Sequence, residues 1–194
     1  TEQGVRVTAM WAADHIVRIV TGAPIRSMSQ ITPHLHVGGQ HRQRGWKRLR
    51  QRGITAVVNL RAEFDDNAAD IAPKRYLYLP TPDDAPPSLG QLREGVGFIT
   101  EEIQRGGSVY VHCGSGVGRA WTMAAAYLVS TDLTPDEALA KIRAVRPFVR
   151  PKPPRPVALA TARHVHAGLA AEGEEILQWQ DGEARPRGKG GVDE

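Results

Sequence analysis

The chain has one cysteine, Cys113, in 194 residues. A lone thiol makes no internal disulfide, which excludes a cystine framework and a cysteine-based zinc finger. It also leaves one thiol free for chemistry. No apolar run approaches the roughly 20 residues that a membrane-spanning helix needs. The stretch Val5–Gly22 is partly apolar, but Asp14, His15 and Arg18 interrupt it. It does not read as a signal peptide, and a cytoplasmic protein is expected. The 20 glycines and 14 prolines follow no repeating triplet, so a collagen-like chain is excluded. Hydrophobic residues at 41% and charged residues at 24% exclude wholesale disorder. A chain of this length suffices for one domain that buries about 70% of its unfolded surface.

Acidic residues are missing from two basic stretches. Arg42–Arg52 and Lys141–Arg155 each carry six Lys or Arg and no acid. Acids gather instead at Glu63–Asp70 and at Asp83–Asp84. The net charge of +4 suits an anionic partner such as a phosphate ester, an anionic lipid surface or RNA. Trp46 lies among the charges of the first basic stretch, a pattern that fits contact with a membrane surface.

Strand and helix patterns alternate along the chain. Met10, Ala13, Val17 and Val20 form one stripe, which predicts a helix over 8–20. Ile31 and Leu35–Val37 read as short strands around Pro33, and 41–52 as a basic helix ending at Gly53. Ile54–Leu60, Arg75–Leu79 and Ser108–Val111 read as buried strands. Pro80–Ser88, with four prolines, reads as a loop. Helices are predicted over 89–105, 119–130, 135–145 and 156–178, the third capped by Thr134 with Pro135 in its first turn. The fold class is therefore α/β, with a central, mostly parallel sheet flanked by helices. Residues 1–28 read as an N-terminal helical extension, 29–178 as the domain, and 179–194 as a tail expected to be mobile.

The chemistry concentrates in Val109-Tyr110-Val111-His112-Cys113-Gly114-Ser115-Gly116-Val117-Gly118-Arg119. A buried strand enters a turn with three glycines, and a helix follows. Backbone amides in such a turn can converge on an anion, and the helix aims its positive end at the same point. Cys113 opens this nest, where a neighbouring Arg and a helix N-terminus favour the thiolate. A thiolate attacks phosphorus well. Arg119 closes the nest, and its planar fork can hold two phosphoryl oxygens.

This segment resembles the signature of the Cys-based protein tyrosine and dual-specificity phosphatases: His-Cys, five residues, Arg, then Ser or Thr. The sequence after Arg119 is similar to the small dual-specificity group, including its lipid-directed phosphatidylglycerophosphate phosphatases. Ile31–Gly39, Gly53–Arg61 and Ile142–Pro147 extend the likeness over about residues 29–165. The resemblance implies a protein tyrosine phosphatase-like three-layer sandwich. It also implies a phosphatase domain over 29–178 that needs no metal and no cofactor. Cys113 would be the nucleophile and Arg119 the phosphoryl clamp. His112, Gly114, Ser115, Gly116, Val117 and Gly118 would surround the substrate phosphate, with His112 orienting the cysteine and helping to keep its thiolate rather than acting as a base. The family's general acid is an Asp about 30 residues before the cysteine, which selects Asp83, with Asp84 as the alternative. His15, His34, His36, His41, His164 and His166 show no partner at metal-ligand spacing in the sequence.

One position departs from the pattern. Ala120 stands where the family has Ser or Thr, whose hydroxyl helps the sulfur leave when water attacks the phosphoenzyme. The first chemical step should survive and the second should slow, unless Ser115 or Thr122 compensates. The loop contains no Lys or Arg between Cys113 and Arg119, which argues for a singly phosphorylated substrate. The expectation is a phosphomonoesterase acting on a phosphorylated protein or a small phosphomonoester. A lipid or RNA-end phosphatase and a phosphate-binding pseudophosphatase are the alternatives. A sulfur-transfer or arsenate-reducing enzyme ranks below them, since this chain lacks the further cysteines of arsenate reduction. No DNA partner is expected.

Overall fold

Ala56–Arg61 (β3) and Val109–His112 (β5) are apolar, β-branched runs, and they lie inside the sheet. The computed structural model describes residues 28–147, with Ala12, Ile16 and Val149. Within them, Met28–Gln30 (β1), Leu35–Gly38 (β2) and Arg75–Thr81 (β4) complete a five-stranded sheet in the order β1-β2-β5-β3-β4. Only the edge strand β1 pairs antiparallel; β2–β5, β5–β3 and β3–β4 are parallel. The α/β class, the mostly parallel sheet and the layered arrangement agree with the sequence reading.

Alternation along the strands sorts side chains between two layers. Leu35, Val37, Ala56, Val58, Leu60, Val109 and Val111 face the larger core. Leu89–Gln104 (α2), Arg119–Ser130 (α3) and Pro135–Val145 (α4) contribute to that core. Val57 and Tyr110 face the opposite layer, where Leu49 and Trp46 of Gln43–Gln51 (α1) cover them. The helix α3 is buried along nearly its whole length, and its alanines allow close approach. A Cβ on Gly95 of α2 would lie 2.5 Å from Met123, so these two helices pack through a glycine. Ser88 and Thr134 cap α2 and α4 with reciprocal capping boxes, each satisfying two otherwise orphaned amides.

Three local expectations are corrected. Ile31 is in no strand; it is buried in the turn between β1 and β2, and β1 forms from Met28–Gln30 instead. The loop expected from Pro80 begins later, because β4 runs through Pro80 to Thr81. The pairing shifts register between Asn59 and Arg61 beside this stretch, and β4 is an edge strand, where a missing N–H is tolerated. The basic helix is shorter than 41–52, with Arg42 at its N-cap. The expected helix over 8–20, apart from Ala12 and Ile16, the helix over 156–178 and the tail lie outside the described residues. Among the described residues, no helix is long and apolar enough to cross a membrane.

Candidate active site

In a parallel sheet the C-terminal ends of the strands share one edge, and the loops that leave them meet there. Here β2, β3, β4 and β5 deliver Gly39–His41, Ala62–Asp66, Pro82–Asp84 and Cys113–Gly118 to that edge. The site is assembled from these four loops.

Cys113 is buried, and its Sγ accepts a hydrogen bond from the Gly116 N–H at 3.3 Å. Gly116 has φ +70°, and a Cβ there would stand 2.5 Å from the Gly38 carbonyl and 2.8 Å from the Arg146 guanidinium. Only glycine fits both the dihedral and the space. The Gly114 carbonyl accepts from the Gln40 N–H at 2.9 Å. Arg146, buried behind the loop, donates to the Ser115 carbonyl at 3.3 Å, to the Val37 carbonyl at 3.1 Å and to Ser29 Oγ at 3.0 Å. Gly118 forms the N-cap of α3, while Val117 stays partly exposed. Ala120 is fully buried. Thr122 Oγ1 donates back to the Gly118 carbonyl at 3.1 Å, so its hydroxyl is engaged along its own helix.

The Arg119 guanidinium makes three hydrogen bonds and one further ion-pair contact. Two go to Glu63 as a fork, at 2.8 and 2.9 Å. A third reaches the Thr81 carbonyl at 2.7 Å, and NH2 also meets Asp83 Oδ1 at 2.9 Å. Nε is buried without a partner. The Arg119 hydrogen bond, outweighing burial and helped by Arg61, pulls the Glu63 carboxyl down to about 2. Asp83 is 81% exposed on its loop, and Asp84 beside it has φ +60°.

His112 turns its ring away from this pocket. Its Nε2 meets Asp66 Oδ2 at 2.8 Å, and its Nδ1 faces the Cys113 carbonyl at 3.5 Å. Asp66 is wholly buried, and its other oxygen accepts from Gln40 Nε2 at 2.7 Å. Gln40 in turn accepts from Arg61 at 3.0 Å, and Arg61 donates to Glu63 at 2.9 Å. A polar chain thus runs from Arg119 through Glu63, Arg61, Gln40 and Asp66 to His112. Burial raises the Asp66 carboxyl, but the His112 hydrogen bond and the charges of both histidines outweigh it, so its value falls below the ordinary one.

His41 lies against this pair, its ring 5.2 Å from that of His112 and its Nε2 3.7 Å from Asp66. Burial, reinforced by His112, lowers it to about 4, so it is neutral near pH 7. The sequence offered His41 no acidic neighbour, and the fold supplies one. The potential ligand atoms of His41, Asp66 and His112 all lie within 4.8 Å of one another. The 2.8 Å contact is a hydrogen-bond length, and Gln40 and the Ile71 carbonyl (3.4 Å from His41 Nε2) complete a hydrogen-bonded set. His34 and His36 stand apart, His34 meeting the Gly107 carbonyl at 3.0 Å. His15, His164 and His166 lie outside the described residues.

The structure therefore brings Cys113, Arg119, Asp83 and the glycine loop together. Sequence reading missed Gln40, His41, Glu63 and Asp66. The available signal was position: each follows, by two to five residues, the end of a strand that neighbours β5.

Likeness to known proteins makes this fold and site those of a dual-specificity tyrosine phosphatase-type enzyme. Residues 35–132 match the family model described as "Polymorphic toxin system, DSP-PTPase phosphatase", and the chain belongs to that family. It is 31% identical over 126 residues to dual specificity protein phosphatase 22 of Mus musculus, covering 64% of this chain and 67% of that protein. It is 28% identical over 141 residues to phosphatidylglycerophosphate phosphatase PTPMT2 of Arabidopsis thaliana, covering 70% and 62%. Tk-PTP in the active form superposes with a TM-score of 0.63 at 28% identity, over 71% of this chain and 97% of that one. PTPMT1 in complex with PI(5)P superposes at 0.64 and 24% identity, over 76% and 99%. The second superposition speaks to fold alone.

Proposed function

We propose that the protein hydrolyses phosphomonoesters through a cysteinyl-phosphate, without metal or cofactor. The observation that carries this reading is the placement of Cys113 Sγ, the Arg119 guanidinium and Asp83 around one glycine loop. Two phosphoryl oxygens take the unpartnered Arg119 Nε–H and the NH2 position that Asp83 occupies. Displaced from Arg119, Asp83 faces the leaving group. The Cys113 thiolate forms the S–P bond as the P–O bond breaks, and the leaving oxygen takes the Asp83 proton. Water then attacks phosphorus and gives its proton to Asp83. The S–P bond breaks and inorganic phosphate leaves. His112, Gly114, Ser115, Gly116, Val117 and Gly118 frame the phosphoryl group, chiefly through backbone. Asp83, whose Oδ1 lies 2.9 Å from Arg119 NH2, is preferred to Asp84.

Phosphoprotein is the favoured substrate class, in line with the name of the mouse relative. A lipid phosphomonoester is the second reading. It is favoured by Arg42, Arg44, Lys47, Arg48, Arg50 and Arg52, all exposed and none in an ion pair among the described residues. Such an array attracts an anionic lipid surface. The relative named for phosphatidylglycerophosphate points the same way.

A rapid-quench time course with an aryl phosphate, in a metal chelator, tests the chemistry. The expected result is a phenol burst near one equivalent followed by slow turnover, both absent in Cys113→Ser. Turnover that survives in Cys113→Ser overturns the reading. Competition between a phosphopeptide, a phosphatidylglycerophosphate vesicle and an RNA 5′-phosphate then ranks the substrates.

A further inference from the structure

Helix α1 presents a solvent face of one sign. Its buried positions are Gly45 and Leu49, and Trp46 beside them packs, partly buried, on the layer that holds Val57 and Tyr110. Every exposed position of the helix carries a cation or an amide: Gln43, Arg44, Lys47, Arg48, Arg50 and Gln51. Arg42 and Arg52 extend the row beyond both ends. Helix surfaces ordinarily mix the two signs, so that residues three and four apart pair favourably. Here those spacings set Arg44 beside Lys47 and Arg48, and Lys47 beside Arg50, like against like. Elsewhere the surface cations find carboxylates: Arg75 meets Glu101 and Glu102, and Arg105 meets Glu101. Among the described residues, no cation of α1 is in an ion pair. A row of mutually repelling charges gains most from a partner that is itself anionic.

The face is also shaped. Gln43, Trp46, Lys47, Arg50 and Gln51 line an open cleft of about 450 Å³. Lys47 and Arg50 bring it two cations, and the two glutamines both donate and accept hydrogen bonds. Trp46 adds an indole, a group suited to the boundary between water and apolar matter. Cations around an indole match the interface of an anionic bilayer. Single-stranded nucleic acid is held instead on exposed aromatic rings where bases stack, and no exposed position of α1 is aromatic.

We propose that the exposed face of α1 docks the protein on an anionic phospholipid surface, with the cleft beside Trp46 taking a phosphodiester headgroup through Lys47 and Arg50. The helix starts directly after Gly39–His41, one of the four loops at the active-site edge, so docking keeps that edge beside the surface. The catalytic loop has no Lys or Arg between Cys113 and Arg119, so attraction to a charged surface falls to α1. The proposal rests on neither substrate reading, because a phosphodiester headgroup is no phosphomonoester and docking needs no Cys113.

Co-sedimentation of the full chain with vesicles tests it, using phosphatidylcholine alone and phosphatidylcholine mixed with phosphatidylglycerol. The protein should partition onto the mixed vesicles and not onto phosphatidylcholine alone, and added salt should weaken the partition. Each cation near such a surface contributes about fivefold, so Lys47→Gln with Arg50→Gln should lower the partition coefficient about 25-fold. Both side chains are exposed, and losing a like-charge pair leaves the fold intact. Arg93→Gln with Lys141→Gln removes the same charge from α2 and α4, in the opposite layer, and should lower the coefficient less than about threefold. No partition onto the mixed vesicles overturns the proposal. Equal losses in the two double variants also overturn it, since they mark a response to net charge alone. Tighter binding to a single-stranded oligoribonucleotide without a terminal phosphate than to mixed vesicles, at equal phosphate, overturns it in favour of a nucleic-acid face. None of these measurements reads turnover, so they fail separately from the cysteinyl-phosphate reading, which Cys113→Ser kinetics decide.

Discussion

Glu63 grips Arg119 with both carboxylate oxygens, at 2.8 and 2.9 Å, and so fixes the plane of the guanidinium at the mouth of the glycine loop. Replacing Glu63 by Gln removes the charge and one acceptor of the fork. A charge-assisted hydrogen bond contributes about 1.5–3 kcal/mol, so misorientation of Arg119 should lower kcat/KM about tenfold or more. Steady-state kinetics on an aryl phosphate check this.

The same pair has a defined acid dependence. Glu63 titrates at about 2 in the fold, against 4.5 unperturbed. Its depressed value means that the stabilisation is present above about pH 4.5 and is lost as the pH falls towards 2. Any stability advantage of the native protein over Glu63→Gln should therefore shrink across that window. Urea unfolding from pH 5 to pH 2.5 measures it, and the 40% exposure of Glu63 keeps the expected difference small.

His41 acts in the same direction at higher pH. Folded, it titrates at about 4, against 6.5 unperturbed. The unfolded chain therefore takes up a proton between those values while the fold does not. Stability falls as pH drops from about 6.5 to 4 and levels off below, by a total on the order of 3 kcal/mol. Urea midpoints over that range should slope in the native protein and flatten in His41→Gln.

Ala120 makes a kinetic prediction. Ala120→Ser restores a hydroxyl at a fully buried position that follows the guanidinium-bearing residue. Steady-state turnover should rise severalfold while the burst rate changes little. A rise in the burst rate alone would place the role of this position in the first step.

Gly116→Ala should abolish activity. The substitution strains a backbone at φ +70° and drives a methyl into Gly38 and Arg146. A stability loss of about 1–3 kcal/mol is expected, with loss of tungstate binding as the direct readout of the loop.

The local choices were legible in the sequence. Val109–Arg119 announced a buried strand, a turn needing glycine and a helix, because each depends on residues adjacent in the chain. Thr134, Pro135 and Glu137 marked a helix start for the same reason. The edge strand was misjudged at Pro80, because whether a strand tolerates a missing N–H depends on whether another strand lies beside it.

Tertiary structure decided which polar groups meet. Two-residue alternation puts Val57 and Tyr110 on the face covered by α1, and His112, two positions beyond Tyr110, continues that face. His112 pairs in register with Asn59, and parallel pairing gathers the strand ends that carry Gln40, Glu63 and Asp66. These residues lie from 47 to 79 positions before Cys113 and Arg119 in the chain, so no local pattern could join them. The sequence by itself determined the loop that can hold a phosphoryl group and the thiol at its mouth. Strand order and register decided which carboxylates hold Arg119 and His112, because charge pairing in a buried site depends on distance through space and not along the chain.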